Sequence, residues 1–336
     1  MCCRSSMGEL MINTEDLPHA YVEIFHHCFG HVKSMALRCA DGLGIPTAIH
    51  RRGGAATVSD LIANMIGLHP SKLPETVYTL TPSSRLLVAA AADDDKAAGS
   101  RDMSAMLRLL VRPSTAVSVF FGLEAWFRDG GATTTTTTLF EAAHGGMSPW
   151  NLTKEDDSYN KALSDACVAD SGFTMDAVLR ERGEIFRGLG SLVDVKCRVL
   201  DLEQVVSKAP GADGGVVDFV AGDMFESIPS ADAVLIKNVL DCWADDDCIK
   251  ILRQCKKAIP SREAGGKVII INTVVGYGAQ DAIVQETHVL FDIYMMRQGG
   301  IEREEHEWKR IFLEAGFSDY KITPILGLQS IVEVAP

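Results

Sequence analysis

Apolar residues recur at spacings of three and four through HAYVEIFHHCFGHVKSMALRCADGLGI, residues 19–45. Val22, Phe25, Phe29, Val32, Met35, Ala36 and Cys39 form one helical stripe, which Gly42, Gly44 and Pro46 then break. In ATVSDLIANMIGLHP, Thr57 or Ser59 offers an N-cap to a short helix, and SKLP is placed to start another. Directly after Pro74 the pattern becomes the alternation of a strand, ETVYTLT. Residues 88–100 and the run Thr133–Thr138 have the low complexity of exposed loops. Between them MSAMLRLLVRPSTAVSVFFGLEAWF is apolar and mostly helical, interrupted near Pro113, and Tyr159–Leu179 is a further long helix.

From Leu189 the period changes. SLVDV, CRVLDL, VVDFVAGD, ADAVLIKNVL and GGKVIIINTVV are short apolar runs, and amphipathic helices at Asp246–Ala258, Val284–Met296 and Glu304–Ala315 stand among and after them. Closing strands are expected at Tyr320–Thr323 and Ser330–Val334. Such alternation predicts an α/β fold, a doubly wound sheet with helices on both faces. The expected organisation is an extension over 1–20, a helical domain over 21–185 and an α/β domain over 186–336.

Composition narrows the function. The 336 residues carry 32 basic and 45 acidic side chains, a net charge of −13. Such a surface repels nucleic acid and anionic membrane, and no apolar run approaches the roughly 18 residues that span a bilayer. The first 20 residues hold Arg4, Glu9, Glu15 and Asp16, which is not a signal peptide. Nine cysteines without framework spacing fit reduced thiols of the cytosol. Cys242 and Cys248 lack a second pair nearby, so no metal site is expected. A nucleotide-binding oxidoreductase is disfavoured, because no G-x-G-x-x-G follows a strand.

In a doubly wound sheet, ligands bind beyond the carboxyl ends of the strands. Asp201 ends the second run, where a carboxylate can accept both hydroxyl hydrogens of a ribose. Asp223 and Met224 follow the third, suited to an adenine ring, and Lys237, Asp241 and Trp243 follow the fourth. Singly, each acid reads as well as a helix cap or a solvated residue; together they mark one ligand site.

KCRVLDLEQVVSKAP, FVAGDMFESIPSADAVLIKNVL, DDDCIKILRQCKKAIPSREAGGKVIII and GGIEREEHEWKRIFLEAGFSDYKI resemble plant S-adenosylmethionine-dependent O-methyltransferases, including grass enzymes acting on phenolics and N-acetylserotonin. The resemblance covers nearly the whole chain, HVKSMALRCADGLGIPTAIHRRGGAATVSDL included. It implies a winged-helix-like dimerisation domain before a Rossmann-like methyltransferase domain, and a homodimer. It also implies ribose on Asp201, adenine on Asp223 and Met224, and Lys237 near the methionine end or adenine edge. The family's catalytic histidine falls on Asp241, and its two helper acids on Asn272 and Glu302. Asn160, Leu163, Cys167, Met175, Met295 and Met296 fall on substrate-pocket positions, although a Met stripe on a helix is as readily plain core.

Three departures follow. The family's glycine-rich loop and crossover helix between the first two strands are missing at Val195–Lys196. Neighbouring parallel strands need a connection of about a dozen residues, so SLVDV and CRVLDL are not expected to lie side by side. One should be displaced, or the two should run on as a single strand. A second junction, Pro74–Glu75, shortens the dimerisation domain. Third, histidine with a pKa near 6.5 suits removal of a hydroxyl proton, whereas aspartate at about 3.9 does so only if burial raises it. The expected activity is methyl transfer from S-adenosylmethionine to a small aromatic hydroxyl, with Asp241 or a water as base and Glu302 as helper. The competing class is a non-enzymatic chain that pairs with intact relatives as a heterodimer.

Overall fold

The run KVIIIN has no polar residue between its ends, the signature of a strand covered on both faces. In the computed structural model, which describes residues 30–63, 77–89, 102–129, 137–193, 198–207, 218–278 and 281–336, it lies third in a seven-stranded sheet. The chain divides into two compact units, Met1–Arg112 with Asp165–Ala169, and Pro113–Ser164 with Asp170–Pro336. The change of period near residue 186 marks where the sheet begins.

In the first unit, helix α1 (Gly30–Gly42) stops at Gly44, whose φ of 68° belongs to the left-handed region that a side chain resists. Pro46 then opens α2 (Ile45–Arg51). Strand β1 (Ala55–Thr57) runs into α3 (Val58–Ala63), where the Asp60 N–H donates to Thr57 Oγ1 at 3.1 Å. Thr57, rather than Ser59, is thus the cap. Strand β2 (Val77–Thr79) pairs with β1 antiparallel, so the alternation after Pro74 is a strand, an exposed one. The second junction itself, the SKLP start and most of the low-complexity runs lie outside the described residues.

In the second unit, α4 (Leu139–Ala143) is capped by Thr138, and α5 (Asp157–Arg182) is the long helix. The sheet has the order β10-β11-β7-β6-β3-β4-β5. Its members are β3 (Leu192–Val193), β4 (Arg198–Asp201), β5 (Asp218–Ala221), β6 (Ala233–Lys237), β7 (Lys267–Asn272), β10 (Asp319–Ile325) and β11 (Gln329–Ala335). The first five run parallel; β11 is antiparallel to β7 and to β10.

Alternate residues of the central strands enter opposite cores, as the period of two requires. Val234, Ile236, Val268, Ile270, Val332 and Val334 face one cluster with helices α6 (Asp245–Ala258) and α7 (Glu305–Glu314). Ala233, Leu235, Ile269, Ile271 and Ile331 face the other, with Val178 of α5. Helix α6 buries Cys248, Ile249, Ile251, Leu252 and Cys255 along one stripe. It opens on Asp245, Asp246 and Asp247 and closes on Lys256 and Lys257, charges that complement its dipole.

The expectation for SLVDV and CRVLDL is corrected here. Strands β3 and β4 are neighbours and run parallel, with β3 also paired to β6. Among the described residues the pair meets at one register position, Val193 opposite Arg198. Only four residues, 194–197, separate the two described segments. No crossover helix fits in that link.

Candidate active site

Two buried strands carry the chemistry. Strand β6 ends at Lys237; Asn238 follows at a φ of 49°, and a 3-10 turn, Leu240–Cys242, exposes no part of Asp241 beyond 3%. Strand β7 ends at Asn272, which is 1% exposed. Beyond it β8 (Val274–Val275) pairs with β9 (Arg303–Glu304), which brings Glu302, 6% exposed, to the same place. The three positions expected to act together do converge.

Acceptors outnumber donors around them: the Asn272 and Thr273 side chains donate to Asp241 and Glu302, and Asp241 Oδ1 and Asn272 Oδ1 are buried without a hydrogen-bond partner. Burial pushes the Asp241 carboxyl above the usual carboxylate range, against a hydrogen bond from the Asn272 side chain. Since that bond favours the charged form, the amide nitrogen is its donor. Burial, then the neighbouring Asp241 and Asp292, push Glu302 up to about 8. At neutral pH Glu302 therefore holds a proton, and the cluster carries at most one negative charge beside it.

Sequence reasoning missed what fixes this cluster. Arg303, 1% exposed, donates from Nε to Asp245 Oδ1 at 2.8 Å and from Nη1 and Nη2 to the carbonyls of Leu240 (3.1 Å) and Trp243 (2.7 Å). It thereby clamps the turn that holds Asp241 and lies 5.3 Å above the Trp308 ring. The Ile301 N–H donates to the Asp241 carbonyl at 2.8 Å. Gly300 permits that approach: a Cβ there would stand 2.7 Å from the Asp241 carbonyl oxygen and 3.0 Å from Met295 Cε. The Glu302 N–H donates to Asp292 Oδ1 at 3.1 Å. The signal for Arg303 was its place in GGIERE, an arginine flanked by Glu302 and Glu304; nothing local marked Asp292.

The expected substrate positions separate. Met295 is buried against the cluster, and Met296 beside it is half-buried at the end of the helix Ala282–Met296. Met175 packs on the sheet core, so it is a core methionine. Asn160 and Leu163 are half-buried on α5, and Cys167 is exposed. The turn thiol of Cys242 accepts from Gln298 Nε2 at 3.9 Å, and burial pushes Cys248 up to about 11. Among the described residues no cluster of three His, Cys, Asp or Glu could hold a metal.

At the ends of the flanking strands, Asp201 is exposed and its Oδ1 accepts the Leu202 N–H at 2.7 Å. Asp223 is half-buried and its Oδ1 accepts the Phe225 N–H at 2.8 Å, with Met224 beside it. Lys237 pairs with Asp170 of α5, which also accepts from Asn238 Nδ2 at 3.2 Å. A buried ammonium needs such a counter-charge, but its identity could not be read from the sequence.

The O-methyltransferase domain family matches residues 194–318, and the O-methyltransferase dimerisation domain family matches residues 25–74. Acetylserotonin O-methyltransferase 1 of Oryza sativa subsp. japonica is 45% identical over 98% of this chain and 98% of its own. This chain belongs to the O-methyltransferase family. A 5-pentadecatrienyl resorcinol O-methyltransferase of Sorghum bicolor is 42% identical over 96% and 98% of the two chains. The fold is shared with human N-acetylserotonin methyltransferase solved with SAM, at a TM-score of 0.72 and 17% identity over 98% of this chain and 99% of that one. The rice alignment runs over 369 positions, more than this chain possesses, so the relative has residues where this methyltransferase has gaps. The dimerisation match ends at Pro74 and the methyltransferase match begins at 194, at the two junctions.

S-Adenosylmethionine is the methyl donor this family implies. Asp201, Asp223 and Met224, at the ends of adjacent strands β4 and β5, fit its nucleoside: an exposed carboxylate for the diol, and a polar and an apolar group for the base. The donor set thus fits the nucleoside and leaves the amino-acid end to Lys237 and Asp170.

Proposed function

We propose that this methyltransferase moves a methyl group from S-adenosylmethionine to the hydroxyl of a small aromatic acceptor, acting as a homodimer through its dimerisation domain. The convergence of Asp241, Asn272 and Glu302, buried and with unpaired acceptor atoms, carries the reading. The acetylserotonin and alkylresorcinol activities named for its relatives support the acceptor class. When bound, the donor supplies an electrophilic methyl on a sulfonium. Asp201, Asp223, Met224 and Lys237 would hold it.

The remaining work falls to the acid cluster. Asp241 accepts the hydroxyl proton, helped by the burial that raises its carboxyl. The Asn272 amide orients the carboxylate, and Arg303 holds its turn. Glu302, protonated near neutrality, is not a second base; it spares Asp241 a repelling charge. Met295 provides an adaptable apolar wall. Calorimetric titration with S-adenosylhomocysteine, followed by transfer from deuterated S-adenosylmethionine to 5-hydroxyindole, tests this. Binding and a labelled product that Asp241→Asn lowers by about 100-fold are expected; no binding would defeat the reading.

A further inference from the structure

Strand β6 leaves the sheet through a backbone that few side chains accept. Asn238 follows Lys237 at a φ of 49°, and its N–H donates to the Ile271 carbonyl at 3.0 Å. A directed chain of hydrogen bonds holds its side chain. Thr174 Oγ1, on α5 and 1% exposed, donates to Gln329 Oε1 at 3.3 Å. Gln329 Nε2, at the start of β11, donates to Asn238 Oδ1 at 3.4 Å. Asn238 Nδ2 in turn donates to Asp170 Oδ2 at 3.2 Å. Asp170 and Thr174 stand one turn apart on α5, so the helix closes the ring. Every donor points towards the Asp170 carboxylate, to which Lys237 is also paired. Bonds aligned in this way polarise one another towards the charge.

Lys237 and Asn238 lead into the turn Leu240–Cys242, and the Lys237 side chain is 10% exposed, its charge felt at Asp241. The other charged and titratable groups around Asp241 are Glu302, Arg303 with its partner Asp245, Cys248 on α6, and Asp292 behind Glu302. An unopposed ammonium near a carboxylate base holds it ionised and weakens it. We propose that Asp170 is a positioning residue for the base: held by this ring, it ties down the Lys237 ammonium and offsets its charge at Asp241. Removing the Asp170 charge leaves Lys237 unopposed; removing both charges restores the balance.

This rests on Asp241 as the base, and the test separates the two. NMR of side-chain carboxyls in the isotopically labelled full-length chain, without donor, reads the Asp241 titration midpoint, its resonance assigned with Asp241→Asn. Asp170→Asn is expected to lower that midpoint by about one pH unit. Adding Lys237→Met is expected to return it to the wild-type value, which a mere loss of packing does not do. With saturating S-adenosylmethionine and 5-hydroxyindole as acceptor, the acid limb of kcat is expected to move with the midpoint, and Asp241→Asn to abolish it. Should Asp170→Asn fail to fold, its buried lysine being unpaired, Lys237→Met is compared with the double variant, and the Asp170 charge is expected to raise the midpoint. An Asp241 midpoint indifferent to the Asp170 charge overturns the proposal. A midpoint that shifts while kcat shows no limb owed to Asp241 defeats the base reading alone.

Discussion

The two halves of one sheet are built to different standards. Strands β6 and β7 are five and six residues long, and nearly all their side chains are buried between two cores. The described parts of strands β3, β4 and β5 are two, four and four residues long, and β5 exposes both its ends. The first half positions the acid cluster; the second carries the nucleoside acids. Chemistry thus hangs on dense packing and donor recognition on more exposed strands. The central pairs β6–β7 and β7–β11 form without residues of the β3–β4 connection.

The largest expected effect tests that contrast in stability. Ile270→Ala, in the fully buried half, is expected to cost about 2–5 kcal/mol, and Val220→Ala, half-buried in β5, about 1 kcal/mol, both by urea unfolding. Equal losses would erase the distinction. Next, inserting a glycine-rich loop and helix after Val195 is expected to tighten S-adenosylhomocysteine binding about 100-fold, or roughly 2.7 kcal/mol. Unchanged calorimetric affinity would place the weakness elsewhere than the β3–β4 link. Asp201→Asn is expected to weaken the same ligand about tenfold without moving the unfolding midpoint.

A last expectation concerns pH. Glu302 holds its proton up to about 8 when folded and loses it near 4.3 when unfolded. The unfolded state therefore binds fewer protons across that window, and stability falls as pH rises through it, levelling above about 8. Asp241, also raised by burial, adds in the same direction. Glu302→Gln is expected to flatten this slope, so its midpoint gains on the wild type between pH 5 and 8. Parallel curves would mean that Glu302 ionises freely.

Much of this was legible beforehand in particular residues. The unbroken run in KVIIIN announced a strand buried on both faces, and the stripe Cys248–Ile251–Cys255 announced α6. Asp241, Asn272 and Glu302 could be grouped because their motifs resemble a family in which those positions act together. The pairing of β3 with β4 was not legible. Register is a choice among hydrogen-bonding partners in space, which SLVDV alone does not specify. Arg303 and Asp170 were missed for a related reason. Each is a charge whose partner lies tens of residues away, Asp245 for one and Lys237 for the other.

The amino-acid sequence by itself determined the α/β class, the family and which side chains are available as acids, since period and residue chemistry are local properties. Tertiary structure alone decided that two strands without a crossover still lie side by side. It also decided that three side chains from separate loops share one desolvated space. Burial and electrostatic coupling depend on what surrounds a group, and only the folded chain specifies those surroundings.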